Sequence, residues 1–256
     1  MCSHFCFSCR YFGFFIRRKR ESKKQRSKFL FTRGLWLIFI ELTVVNFAWM
    51  FDIGLEVLNF QVIWAIGISM VFLSFLVYLQ KGLILILGIV LVAGHNLLDN
   101  ITAQGSDPLS VLWYFLHQSN FTQINDGRGM LIILYPFVPW LGLMLLGYCF
   151  GTFYDKNFDA QSRKKYLLIL GLGAIALFVV LRTFNIYGDI APWSPQENET
   201  YSFLSFLNTT KYPPSLLFVV MTLGPSLLFL YVTEKIQNKL STALVVKAGC
   251  PSFFTF

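Results

Sequence analysis

Six long apolar stretches constrain this chain more than any other feature of its sequence. Each is close to the ~20 residues that an α-helix rising ~1.5 Å per residue needs to cross ~30 Å of hydrocarbon. The stretches are residues 35–51, 60–79, 83–101, 130–150, 166–181 and 214–232. Among 256 residues, 55% are hydrophobic and 13% are charged. The sequence therefore predicts an all-α fold, a polytopic transmembrane bundle of about six spanning helices with two long outer loops.

The basic residues predict the orientation of this bundle. Eighteen of the 21 Lys and Arg residues fall on one predicted side: ten in residues 10–33, one between the second and third stretches, four between the fourth and fifth, and three in the tail. The positive-inside bias places both termini in the cytoplasm, with residues 102–129 and 182–213 as the outer loops. Most of the net charge of +8 comes from one basic block next to the membrane, where attraction to anionic lipid accounts for it. A lipid bilayer is therefore expected as a partner, and nucleic acid is not.

The first outer loop contains a helix-start signal. Asp107 is a typical N-cap, and Pro108 suits the first helical position, where a missing backbone N–H costs nothing. Residues 109–117 then predict a short helix lying in the membrane interface, closed by His117.

A polar cluster ends the third stretch. Residues four apart share one face of a helix, so His95 and Asp99 are expected to stack, with Asn96 beside them. A carboxylate that accepts a proton from imidazole fixes its tautomer and raises its basicity, as general-base catalysis requires. The catalytic candidates are therefore His95, Asp99 and His117. The alternative is a helix end whose polar residues simply meet interfacial water.

Glu41 lies about two turns into the first stretch, where an acid is costly and normally faces the protein interior with a partner. Asn46, the second intramembrane polar residue, lies near the outer end of the same stretch. For Glu41 a buried structural hydrogen bond and a proton-handling role both stay open.

Prolines interrupt two of the apolar stretches. Pro136 and Pro139 remove backbone donors near the start of the fourth, and Gly224-Pro225 lies in the sixth. Unwound backbone is tolerated at membrane depth where it lines a cavity, so the prolines predict broken helices around an outward-opening cavity. Simple packing kinks are the alternative.

Five motifs read in order resemble the bacterial members of the heparan-alpha-glucosaminide N-acetyltransferase-like family of polytopic membrane proteins, over residues 27–244. They are Arg33-Gly34-Leu35-Trp36, Gly94-His95-Asn96-Leu97-Leu98-Asp99, Tyr135-Pro136 with Pro139-Trp140-Leu141-Gly142, Tyr187-Gly188-Asp189 with Pro192-Trp193, and Leu207-Asn208 with Lys211-Tyr212-Pro213-Pro214-Ser215-Leu216. The resemblance implies a multi-pass acyltransferase of the bacterial inner membrane. It would transfer an acetyl or similar group from acetyl-CoA to an amino sugar or other glycan on the outer face.

The substrate-binding candidates are the polar and aromatic residues of these motifs and of the outer loops. They are Asn96, Tyr135, Trp140, Asn185, Asp189, Trp193, Lys211 and Tyr212. No metal is expected, and association with a second copy of the chain stays open. A proton-coupled small-molecule transporter and a non-catalytic membrane protein are the alternative functions.

Both ends of the chain depart from the family pattern. Residues 1–28 supply neither of the first two helices that the family normally has, and residues 247–256 resemble an entry into further helices. The chain thus resembles a fragment: an aberrant basic flank at 1–28, an acyltransferase-like domain at 29–246 and a truncated tail at 247–256. A fragment of this kind is expected to be inactive alone.

Overall fold

A computed structural model describes residues 22–52, 54, 56–124, 129–155 and 157–237. Most of the predicted basic flank and all of the predicted truncated tail lie outside these residues. In chain order the elements are α1 (Lys23–Met50), β1 (Val57–Phe60), α2 (Val62–Leu76), α3 (Lys81–Leu98), α4 (Pro108–Leu116), β2 (Asn120–Ile124), β3 (Gly129–Ile133), α5 (Phe137–Tyr154), α6 (Ala160–Phe184), α7 (Glu199–Leu207) and α8 (Leu216–Gln237).

The predicted fold class is confirmed. Within the described part of the chain, five helices are long and apolar enough to cross a membrane: α1, α3, α5, α6 and α8. The second apolar stretch forms α2, an apolar helix of only 15 residues. The short helix predicted after Asp107 is also confirmed, because the Asp107 carboxylate accepts a hydrogen bond from the Ser110 backbone N–H and Pro108 opens α4.

Part of two predicted helices is a small sheet instead. β1 and β3 pair in parallel, β2 and β3 pair antiparallel, and β3 is the central strand. The prediction that Phe60 and residues 130–133 are helical is therefore wrong. Short apolar runs fit a buried strand as well as a helix, and periodicity alone cannot separate them.

The prediction of broken helices is correct for the fourth apolar stretch, whose residues before Pro136 are not helical, and wrong for the sixth. Pro136 precedes α5 and Pro139 is its third residue, where a backbone N–H has no partner within the helix. Pro225 lies inside α8, which continues through it. The prolines therefore give no support to the predicted cavity.

The chain divides into two compact units. The first unit contains residues 22–149 and 187–218, and the second contains residues 150–186 and 219–237. In the first unit, a side-chain cluster of Phe60, Tyr114, Leu131 and Ile133 packs α4 against the sheet. In the second unit, the guanidinium of Arg163 in α6 pairs with the Glu234 carboxylate of α8 at 2.9 Å.

Glycines allow close packing between neighbouring apolar helices. A Cβ atom built on Gly34 of α1 would lie 2.6 Å from the backbone oxygen of Gly67 in α2, and one on Gly67 would lie 2.9 Å from the oxygen of Gly34. Between α3 and α5, a Cβ atom on Gly88 would lie 2.9 Å from the Leu146 side chain, and one on Gly142 would lie 2.8 Å from the Val92 side chain. Small residues let helix backbones approach where lipid offers no hydrophobic driving force for association.

Candidate active site

The C-terminal turn of α3 places Asn96 and Asp99. Residues His95–Leu98 form a 3₁₀ helix that continues the α-helix. The Asn96 side-chain N–H donates to Asp99 Oδ2 at 2.8 Å, and Asn96 Oδ1 accepts from the Leu216 backbone N–H at 3.0 Å. Asn96 therefore orients the Asp99 carboxylate and ties it to the start of α8.

The other carboxylate oxygen of Asp99 faces a histidine from a different element. His117, the residue that caps the C-terminus of α4, places Nε2 3.1 Å from Asp99 Oδ1. The side chain is buried, with the Trp113 ring 5.3 Å from its own. Its Nδ1 atom is buried without a hydrogen-bond partner in the described part of the chain. If Nε2–H donates a hydrogen bond to Asp99 Oδ1, Nδ1 keeps a lone pair available to take a proton.

The expected pairing of His95 with Asp99 is not found, since Asp99 pairs with His117 and Asn96. His95 is buried, with Nδ1 2.9 Å from the Val92 carbonyl oxygen and Nε2 3.0 Å from that of Pro214. A 3₁₀ turn has about 3.0 residues instead of 3.6, so residues four apart no longer share one face. Because both ring nitrogens face carbonyl oxygens, His95 is placed to hold α3 against Pro214, not to receive a proton from a substrate.

Four of the predicted substrate-binding residues form a second cluster. The Tyr135 and Tyr212 hydroxyls lie 3.1 Å apart, and the Tyr135 and Trp140 rings are 5.5 Å apart. Lys211 Nζ lies 4.9 Å from the centre of the Tyr212 ring. Burial, followed by the hydrogen bond with Tyr212, raises the pKa of Tyr135, whereas the hydrogen bond from Lys211 lowers the pKa of Tyr212.

Asp189 organises the turn that precedes α8. Its carboxylate accepts hydrogen bonds from the Thr210 backbone N–H at 2.9 Å, the Thr210 hydroxyl at 2.6 Å and the Ser215 hydroxyl at 3.0 Å. Beside it the Tyr187 hydroxyl donates to the Ala93 carbonyl oxygen. Sequence reasoning missed Thr210, Ser215 and Tyr187 as partners of the site, because their contacts join segments about 20 to 90 residues apart.

The remaining two substrate-binding candidates lie elsewhere. Asn185 belongs to the second unit, where it caps the C-terminus of α6 in a left-handed conformation, with φ of 48°. Trp193 packs edge-on against Phe206 of α7, with ring centres 5.5 Å apart. The structure thus supplies a packing role for Trp193 and a capping role for Asn185.

The two polar residues inside α1 face the protein interior. Asn46 donates to the Val57 carbonyl oxygen and accepts from the Asn59 backbone N–H, both at 2.9 Å, so it completes the edge of β1. Glu41 is fully buried at the start of a π-helical segment, Glu41–Val45. Its Oε1 accepts from the Gln61 backbone N–H at 2.9 Å, while Oε2 has no partner among the described residues.

A comparison with family models identifies the relationship. The model described as "Heparan-alpha-glucosaminide N-acetyltransferase, catalytic" matches residues 3–183. The chain belongs to this family. No curated protein and no solved structure matches it.

The family match includes α1 to α5 and nearly all of α6, and therefore all three catalytic candidates. It begins earlier than the motif resemblance, which starts at residue 27, and ends before Asp189 and the turn at residues 208–215. Membership in the heparan-alpha-glucosaminide N-acetyltransferase family indicates membrane acetyltransferase activity, with acetyl-CoA as the donor at the level of the family. In the described part of the chain, no group of three His, Cys, Asp or Glu side chains is arranged to hold a metal ion.

Proposed function

We propose that this membrane acetyltransferase uses His117, oriented by Asp99, as the general base that activates the acyl acceptor. The observation that carries the proposal is the Asp99–His117 pair, in which the histidine is buried and its Nδ1 atom has no partner among the described residues. A base must lie within hydrogen-bond reach of the proton it removes and must be held in one tautomer. Asp99 supplies the tautomer, and Asn96 holds Asp99 in place.

The acceptor we propose is an amino sugar or another glycan on the outer face of a bacterial inner membrane, with both chain termini in the cytoplasm. His117 Nδ1 takes a proton from the acceptor nitrogen as that nitrogen attacks the thioester carbonyl of acetyl-CoA. The new C–N bond replaces the C–S bond, and the His117 imidazolium returns the proton it took from nitrogen to the departing thiolate, which becomes the CoA thiol. Tyr135, Tyr212 and Lys211 are proposed to contact the acceptor, because they offer hydroxyl and ammonium groups on one partly exposed surface.

The test is acetyl transfer from labelled acetyl-CoA to glucosamine in membranes that contain the 256-residue chain. His117→Gln and Asp99→Asn should each lower the rate by about 10²-fold or more, the usual contribution of a positioned base. The matched control is Asp107→Asn, the same chemical change at the N-cap of the helix that carries His117. This variant keeps a capping side chain and should retain the wild-type rate.

Two outcomes contradict the proposal. Unchanged turnover in His117→Gln would show that the pair is structural. Absence of transfer by the wild-type chain would favour the expectation, drawn from its sequence, that the chain alone is inactive.

The proposed orientation has a separate test. Gln104, Glu197 and Asn157 are all exposed, so single cysteines at these positions, with the native cysteines replaced by serine, should react readily where the reagent can reach them. In intact cells an impermeant thiol reagent should label positions 104 and 197 but not 157. Labelling at position 157 alone would reverse the orientation.

A further inference from the structure

The second half of α1 contains Glu41, a carboxyl group without a counter-ion among the described residues. It has no exposed surface, and within these residues it accepts one hydrogen bond, from the Gln61 backbone N–H. No Lys, Arg or His side chain in the described part of the chain forms an ion pair with it. An ionised carboxylate buried in this way is costly, whereas a protonated carboxyl avoids most of that cost.

The sheet brings a tyrosine to this carboxyl. β1 ends at Phe60, next to the Gln61 N–H that binds Glu41, and Phe60 pairs with Ile133 at the end of β3. The Leu134 backbone N–H continues the pairing by donating to the Phe60 carbonyl oxygen at 3.2 Å. The next residue is Tyr135, so the strand pairing places this tyrosine beside the Gln61 segment that binds Glu41.

From Tyr135 a hydrogen bond leads to the surface of the first unit. The Tyr135 and Tyr212 hydroxyls are 3.1 Å apart, and either can donate to the other. Tyr212 is 40% exposed, and Lys211 lies against its ring. The three side chains therefore run from a fully buried acid through a half-buried hydroxyl to an exposed one.

We propose that Glu41, Tyr135 and Tyr212 form a proton-exchange path, in which Glu41 is a buried, protonated carboxyl that exchanges its proton with the surface. Glu41 releases its proton towards the Tyr135 oxygen, through one bridging water molecule or a small side-chain rotation, because no direct hydrogen bond joins the two groups. The Tyr135 hydroxyl proton passes to the Tyr212 oxygen, and the Tyr212 hydroxyl proton passes to solvent. Each tyrosine gains one proton and loses one, and Glu41 is left as the carboxylate.

Two tyrosines of the described residues belong to the elements around this part of α1: Tyr135, which follows β3, and Tyr114 of α4, which lies in the cluster against which Leu42 packs. α2 and β1, which both pack against α1, contain no ionisable side chain, and neither does β3. The exposed Glu56 just precedes β1, while Lys211 lies beyond Tyr212.

This path would serve acetylation directly, a consequence that rests on the proposed function. An ammonium acceptor releases one proton for each amide formed, and a buried carboxylate connected to solvent can take up such a proton and return it. The path itself does not depend on His117 or on transfer activity.

The experiment is infrared difference spectroscopy of the purified chain in lipid nanodiscs. At pH 7 the wild-type protein should show the C=O stretching band of a protonated carboxyl, which Glu41→Gln removes. If Glu41→Gln does not fold, Glu41→Asp keeps a carboxyl and should shift the band instead. The exchange of this proton for deuterium is then timed after transfer to D₂O.

Tyr135→Phe and Tyr212→Phe should slow that exchange by about tenfold or more, since each removes one proton-transferring hydroxyl. Tyr114→Phe is the matched control, because it removes a hydroxyl bonded to the Gly105 carbonyl oxygen and not to the path. Either of two results overturns the proposal: no Glu41-dependent carboxyl band at pH 7, or equal exchange in all three tyrosine variants. If the Glu41 band and its exchange behave as expected but the wild-type chain transfers no acetyl group, only the proposed function is contradicted.

Discussion

Replacing Gly34 by alanine tests the contact between α1 and α2. The added Cβ atom would lie 2.6 Å from the Gly67 carbonyl oxygen, whereas ordinary contact begins near 3.4 Å. The helices must therefore separate by several tenths of an ångström. The closest obstacle is backbone, which cannot rotate away, and the Val71 Cγ2 atom at 2.8 Å adds a second.

The change in the free energy of unfolding caused by Gly34→Ala is the sum of two opposing terms. Overpacking a close contact costs about 1–3 kcal/mol, while replacing glycine by alanine within a helix contributes about 0.5–1 kcal/mol of stability. Gly173 of α6 is the control, since a Cβ atom there meets nothing within 4 Å. Gly173→Ala shows the helix term alone, so the difference between the two variants should equal the overpacking term of about 1–3 kcal/mol.

The assay is unfolding of each purified variant by increasing sodium dodecyl sulfate in mixed micelles, followed by circular dichroism. We expect Gly34→Ala to unfold at lower detergent fraction than wild type and Gly173→Ala at equal or higher fraction. Equal midpoints for the two alanine variants would refute the close approach of α1 and α2.

Three further predictions concern other parts of the molecule. Asn46→Leu should lower the free energy of unfolding by roughly 1–3 kcal/mol, measured in the same assay, because it leaves two buried backbone groups of β1 unpaired. The side-chain and backbone hydrogen bonds of Ser110 lower the pKa of Asp107, so its contribution to α4 is present above the unfolded pKa of about 3.9 and is lost as pH falls through the lower folded value. The protection of α4 amides, meaning their exchange relative to the intrinsic rate at the same pH, should therefore fall in acid for the wild type but not for Asp107→Asn. An equal fall in both would contradict this. Arg163→Lys should lower the thermal midpoint of the protein, since a lysine cannot keep the guanidinium contacts with both Glu234 oxygens, and an unchanged midpoint would show that the pair adds little.

Local sequence patterns were enough to predict the fold class and one element in detail. Apolar length predicts spanning helices because a backbone in lipid must satisfy its own hydrogen bonds, whatever its neighbours are. The start of α4 was equally predictable, since Asp107 and Pro108 act within a single turn. Glu41 was correctly expected to face the interior, because the cost of an acidic group in lipid belongs to the residue itself.

The pairing within the candidate site depended on tertiary structure. The sequence alone identified His95, Asp99 and His117, but its helical spacing paired Asp99 with the wrong histidine. Asp99 reaches His117 because α3 ends in a 3₁₀ turn and because α4 lies beside it. Neither feature can be predicted from the spacing of apolar residues. The sheet was hidden for the same reason: residues 129–133 are a strand because β1 and β2 lie beside them to receive their hydrogen bonds. Local rules act within one helical turn, whereas the Asp99–His117 contact and the β1–β3 pairing join residues 18 and 73 positions apart, and only the folded chain determines which of them meet.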